Sequence, residues 1–94
     1  MVTVQTEDFD VAALYQALRA DAPQIGAIVT FTGLVREFND DAAVESLYLE
    51  HYPGMTEQVL EGLIAPAAKR WPIINATIVH RIGELRPAEQ IVFV

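Results

Sequence analysis

The chain has 94 residues and a mass of 10.4 kDa, enough for one domain and no more. Six Lys and Arg against thirteen Asp and Glu leave a net charge of −7, which argues against binding to nucleic acid or to an anionic membrane surface. Hydrophobic residues make up 52%, there is no cysteine, and no apolar run approaches the ~20 residues of a membrane span, so a disordered chain, disulfides, thiolate metal sites and a catalytic thiol are all excluded.

Val2 to Gln5 alternates and reads as a short strand. Asp10 is placed to cap a helix over Val11–Arg19, with Val11, Leu14, Tyr15 and Leu18 on one face. Pro23 and Gly26 punctuate the following loop, and the β-branched and aromatic run from Gly26 to Gly33 predicts a strand. Leu34 to Ala43 is polar and reads as a loop, and Val44 to His51 alternates as another strand. From Pro53 onward the spacing is helical. Met55, Val59, Leu63 and Ala67 share a face with Leu60 and Ile64 beside them, Thr56 is a candidate cap, and Lys69-Arg70 suit the negative end of the dipole. Pro66 deletes one helical hydrogen bond and predicts a kink. Ile73 to Ile82 reads as a strand, Gly83 to Glu89 as a turn around Pro87, and Ile91 to Val94 as a last strand whose apolar end needs a place in a sheet. The order is βαββαββ, an α+β domain with two helices and a mixed or antiparallel sheet over residues 1–94. Taken bare, that order suggests a ferredoxin-like arrangement.

Charge is spread unevenly. Residues 1–61 hold eleven acids and two bases, Arg19 and Arg36, while residues 62–94 hold two acids and four bases. A solvated acidic face is the ordinary account, and a basic site for an anionic ligand inside an acidic shell is the functional one. The motifs for chemistry are sparse. His51 and His80 belong to no metal-binding pattern and read as structural histidines, so no metal site is expected. Glu37, Asp40 and Asp41 read as a solvated loop, and no nucleotide cradle or serine-nucleophile motif occurs. Trp71 and Met55 read as core residues. Arg36 stands out because it follows Thr32-Gly33 at the end of a strong strand, where loops often carry function. It has the fork geometry to grip a phosphate or carboxylate through two N–H bonds. On residue chemistry alone, a surface arginine paired with Glu37 or Asp40 is the better account.

Three segments take the reading further. Ala27-Ile28-Val29-Thr30-Phe31-Thr32-Gly33-Leu34-Val35-Arg36, Leu49-Glu50-His51-Tyr52-Pro53-Gly54-Met55-Thr56-Glu57, and Arg70-Trp71-Pro72 with Val79-His80-Arg81-Ile82-Gly83-Glu84-Leu85 lie in the order and spacing of the molybdopterin synthase large-subunit family, which the chain resembles along nearly its whole length. The resemblance implies an α/β-hammerhead fold and a cytoplasmic sulfurtransferase. That family's enzyme converts cyclic pyranopterin monophosphate (precursor Z) into molybdopterin, taking sulfur from a thiocarboxylate on a small ubiquitin-like subunit. Its large subunit forms a dimer with one small subunit at each outer end. No cofactor is implied. The family's substrate-contact segment falls on Leu34, Val35 and Arg36, with Arg36 on the anionic part of the substrate, Leu34 in place of a lysine found in some relatives, and Phe31 as a pocket wall. His51 and Tyr52 correspond to scaffold for the loop into the second helix. His80-Arg81 is distinct from the later His-Arg pair the family uses in its pocket. That pair and two lysines credited with catalysis correspond to positions after Val94, so the resemblance implies a chain truncated at its C-terminus and leaves the catalytic residues unassigned. The alternative is a non-catalytic module that dimerises or docks a ubiquitin-like partner by strand addition.

Overall fold

The computed structural model describes residues 1–20, 22–36, 47–50 and 52–94. Six strands and two helices follow one another as β1 (Val2–Gln5), α1 (Val11–Arg19), β2 (Thr32–Leu34), β3 (Leu47–Leu49), α2 (Met55–Arg70), β4 (Ile78–Arg81), β5 (Gly83–Leu85) and β6 (Gln90–Phe93). Four strands form a mixed sheet in the order β1-β4-β6-β2. β1 runs parallel to β4, and β6 is antiparallel to both β4 and β2. β3 and β5 pair antiparallel as a separate two-stranded sheet. The second sheet and the parallel pair depart from the ferredoxin-like arrangement that the bare element order suggests.

The final apolar run is the central strand that its composition demands. β6 has a neighbour on each side, and Phe93 is fully buried. Val35, Ile78, Val79 and Leu85 complete the buried apolar set, and Phe9 meets the Phe93 ring edge-on at 6.3 Å between centroids. Asp10 caps α1, its carboxylate accepting from the Ala13 amide at 3.2 Å. Val11, Leu14 and Leu18 lie on the sheltered side of α1, whereas Tyr15 stays exposed with the Arg19 guanidinium 5.8 Å from its ring centroid.

Several predicted boundaries move. The strand expected over residues 26–33 is confined to Thr32–Leu34, extended by one pair in which Phe31 and Val94 exchange two backbone hydrogen bonds of 2.8 Å. The strand expected over residues 73–82 is confined to Ile78–Arg81. The stretches left over, 26–30 and 73–77, find no ladder, and most of their residues, with Ile25 and Pro72, flank a cavity of about 430 Å³ that Leu18 and Val94 also line. The turn expected over residues 83–89 opens with a strand, β5. Gly83 has φ 85°, a backbone that an L side chain resists, and there the chain leaves one sheet for the other. The turn proper is Arg86-Pro87-Ala88-Glu89, closed by the Glu89 amide on the Arg86 carbonyl at 3.0 Å. With Pro87 at its second position and Ala88 at φ 72°, it is a type II turn.

α2 also differs from its reading. Its cap is Gly54 and not Thr56, and the Glu57 carboxylate accepts from the Gly54 amide at 2.9 Å. Thr56 lies in the first turn and bonds back to Tyr52, accepting from its amide at 3.2 Å. The helix continues through Pro66 to Arg70. The predicted apolar face is rotated. Thr56, Leu60, Ile64 and Ala67 are sheltered, on a helix that lies against β1, while Met55, Val59 and Leu63 are exposed. Trp71 is exposed too, with the Arg70 guanidinium over its ring, so neither Met55 nor Trp71 is a core residue.

Candidate functional site

β2 is short, and what fixes it is its neighbour. Its register against β6 runs Thr32 to Phe93, Gly33 to Val92 and then Leu34 to Gln90, so Ile91 is an extra residue and the pair is bulged. A bulge bends the strand and re-aims the side chains that follow it. Gly33 has no positive φ. Its value lies in size, because a Cβ there would stand 2.9 Å from Val92 Cγ1.

Beyond the bulge, the segment after β2 is fastened to the type II turn. The Val35 amide donates to the Glu89 carbonyl at 2.9 Å, and the Ala88 amide donates to the Val35 carbonyl at 2.8 Å. Val35 is 4% exposed, so its side chain belongs to the core and anchors the segment. Leu34 and Arg36, on either side of it, are exposed. The structure therefore brings Leu34 and Arg36 together on one solvent-facing edge. Phe31 is also exposed, but it sits at the other end of β2, five residues before Arg36. None of these four residues lines the 430 Å³ cavity, which is apolar and lies between the 25–29 and 72–77 segments. Glu37, Asp40, Asp41 and His51 lie outside the described residues.

The turn that holds Val35 is itself held. Arg81, at the end of β4, is 6% exposed and is the one buried charged residue among the described residues. Its Nε and Nη2 donate to the Thr6 carbonyl at 3.1 and 3.0 Å, and its Nη1 donates to the Gln90 carbonyl at 3.0 Å. Glu89 and Asp8 stand 3.7 and 3.9 Å from Nη1. A guanidinium stripped of water costs several kcal/mol unless its donors and charge are met, and here both are. The Gln90 side-chain amide adds bonds of 2.8 Å to Asp8 Oδ1 and to the Phe9 carbonyl. That bond, the Phe9 amide and the Arg81 charge hold the Asp8 carboxyl below its ordinary pKa, against a smaller effect of burial. Sequence reasoning missed this cluster. The available signal was Arg81 itself, a cation inside an otherwise apolar strand pattern.

His80 Nδ1 lies 2.7 Å from the Arg81 carbonyl, a bond that needs the proton on Nδ1 and ties the ring to its own strand. Tyr52 is scaffold as expected. Its carbonyl accepts from the Met55 and Thr56 amides, and its hydroxyl donates to Glu50 at 2.7 Å, which pushes the phenol pKa up.

Solved structures share this fold. A structure from Burkholderia multivorans, described as molybdopterin cofactor biosynthesis protein E, superposes with a TM-score of 0.86 at 52% identity, over 99% of this chain and 60% of that one. Molybdopterin synthase from Staphylococcus aureus superposes with a TM-score of 0.84 at 30% identity, over 97% of this chain and 65% of that one. The molybdopterin synthase catalytic subunit of Ralstonia nicotianae is 50% identical over 99% of this chain and 53% of its own length, and that of Escherichia coli K12 is 47% identical over 99% and 61%. The chain thus spans little more than half the length of these curated relatives. The model of the family described as MoaE protein matches residues 4–94, a span that holds the fastened β2 edge, both helices, strands β2 to β6 and the three sequence segments, and the chain belongs to the MoaE protein family.

Proposed function

We propose that this chain is part of a molybdopterin synthase catalytic subunit, a sulfurtransferase that acts in the cytoplasm. In this reading it moves sulfur from a thiocarboxylated ubiquitin-like small subunit to precursor Z. The observation that carries the reading is the 50% identity, over 99% of the chain, to relatives named molybdopterin synthase catalytic subunit. The chemistry is consistent with it. The chain has no thiol of its own, and in this mechanism the sulfur arrives on the partner.

Within the reading, Arg36 binds the cyclic phosphate of precursor Z. A guanidinium offers two parallel N–H donors to two phosphate oxygens, and charge-assisted bonds of this kind are the strong ones. Val35 contributes by anchoring the segment in the core, and Leu34 presents an apolar surface beside the arginine. Phe31, at the far end of the strand, fits a pocket wall only toward a second portion of the ligand. The large subunit pairs with a second copy of itself as well as with the small subunit.

The test is reconstitution. The full protein carrying this sequence, mixed with thiocarboxylated small subunit and precursor Z, is expected to form molybdopterin. Failure to form it from folded components overturns the reading, and small-subunit binding without turnover favours the non-catalytic module. Arg36→Ala is expected to weaken precursor Z binding about 10- to 100-fold, the worth of one or two charge-assisted hydrogen bonds. Unchanged affinity by calorimetric titration removes Arg36 from the site.

A further inference from the structure

The proposed anion-binding segment is not positioned by β2 alone. β2 is three residues long, and its last pair is displaced by the bulge at Ile91. Past Leu34, the described backbone bonds of the segment are the two that Val35 makes to Ala88 and Glu89. Val35 thus ties the segment that carries Arg36 to the type II turn, and Leu34 pairs it with Gln90, the first residue of β6. Those elements are gripped by one side chain from the neighbouring strand β4. Arg81 Nη1 takes the carbonyl of Gln90, the residue that faces Leu34 in the register. The rest of its fork takes the Thr6 carbonyl at the end of β1.

We propose that Arg81 is a positioning residue for Arg36. By joining the Thr6 and Gln90 carbonyls it locks the start of β6 and the preceding turn against β1, and the turn in turn sets where the Leu34–Arg36 edge stands. The inference rests on the reading of Arg36 as the anion-binding group. Lysine cannot replace this arginine. A single ammonium has neither the reach nor the planar fork to hold both carbonyls, although it keeps the charge beside Asp8 and Glu89. The Gln90 side chain supports the same lock from the other direction, through Asp8 and Phe9.

The experiment compares wild-type chain, Arg81→Lys and Arg36→Ala by amide hydrogen exchange without ligand and by titration with precursor Z. In Arg81→Lys, exchange at the Val35 and Ala88 amides is expected to accelerate about tenfold or more, while the Ile78 and Val94 amides, bonded to Met1 and Phe31, stay within about twofold. Precursor Z affinity is expected to fall about tenfold, well below the melting midpoint. Unchanged exchange at Val35 and Ala88 overturns the proposal, and so does a uniform rise across the sheet, which marks a merely structural arginine. Local loosening with normal affinity overturns the link to binding when Arg36→Ala does weaken it. If Arg36→Ala is silent, the reading of Arg36 fails, and the exchange data still decide whether Arg81 positions the segment. Should Arg81→Lys not fold, Gln90→Leu severs the side-chain half of the lock, and the same local acceleration is required of it.

Discussion

Gly33 shows how much a single residue constrains this edge. It lies opposite Val92 in the register, and the missing Cβ makes room for the valine side chain. Gly33→Ala places a methyl group 2.9 Å from Val92 Cγ1, closer than carbon atoms tolerate, so either the valine or β2 must move. The expected cost is about 1–3 kcal/mol, the usual penalty of overpacking, measured by urea unfolding. Gly33→Ala with Val92→Ala should recover part of it, since the clash is between those two side chains; no recovery would locate the strain elsewhere. Asp8 carries a pH signature. Its carboxyl titrates below its ordinary range because the Gln90 amide, the Phe9 amide and the Arg81 charge all favour the ionised form. Its contribution to stability is therefore fully present above the unfolded-state pKa and is lost as pH falls through the lowered folded-state value. Asp8→Asn is expected to be less stable than wild type at neutral pH, with the gap closing on acidification. Denaturant midpoints at two pH values read this directly, and a gap that widens toward acid would reverse the assignment.

At the scale of elements, α2 separates what hydrophobic spacing can and cannot tell. The sequence places Met55, Val59, Leu63 and Ala67 in one row and Leu60 and Ile64 in the next. Both rows are apolar, so periodicity alone cannot choose the buried one, and the structure shelters the row with Leu60 and Ile64. Leu60→Ala is accordingly expected to cost about 1–2 kcal/mol, the lower part of the range for a core leucine because Leu60 is half-buried. Leu63→Ala should stay within about 0.5 kcal/mol at low protein concentration, as exposed substitutions do. Equal costs in thermal or urea unfolding would mean that the helix is rotated. The strands show the same divide. β1, α1 and β6 were legible because Asp10, the alternation of residues 2–5 and the apolar run at the end each specify their element locally. Residues 26–30 and 73–77 have strand composition without a ladder, and propensity does not supply a partner. β5 was hidden because Gly83 and Pro87 resemble one long turn, while the pairing that makes a strand comes from β3, more than thirty residues away. Arg36 was legible as a cation after a strong strand and as the end of a segment that resembles the family's. That Val35 anchors it and that Arg81 holds the turn beneath it depend on contacts across the sheet, which no local pattern encodes.

The whole molecule exposes more than its size requires. A compact chain of 10.4 kDa should show about 5,400 Å² of surface and a radius of gyration near 12.4 Å. This chain shows 6910 Å² and 15.2 Å, with extents of 49 × 27 × 23 Å. Apolar side chains contribute to the excess at two places, the outer row of α2 and the margins of the cavity, where Val29 is 91% exposed. Burial of apolar area is the main stabilising term, at about 25 cal/mol per Å², and its shortfall leaves a small chain little margin over conformational entropy. Covering that surface with a second chain would supply what the isolated core lacks. Association stabilises by mass action, so the melting midpoint is expected to rise as protein concentration increases about a hundredfold. Sedimentation equilibrium should show a matching shift from monomer to dimer, and Val59→Glu with Leu63→Glu on the outer row of α2 should abolish both while leaving the dilute midpoint nearly unchanged. A midpoint independent of concentration, with a single monomeric species throughout, would mean that the exposed apolar surface is not used between copies of this chain and that the monomer is stable with the core it has.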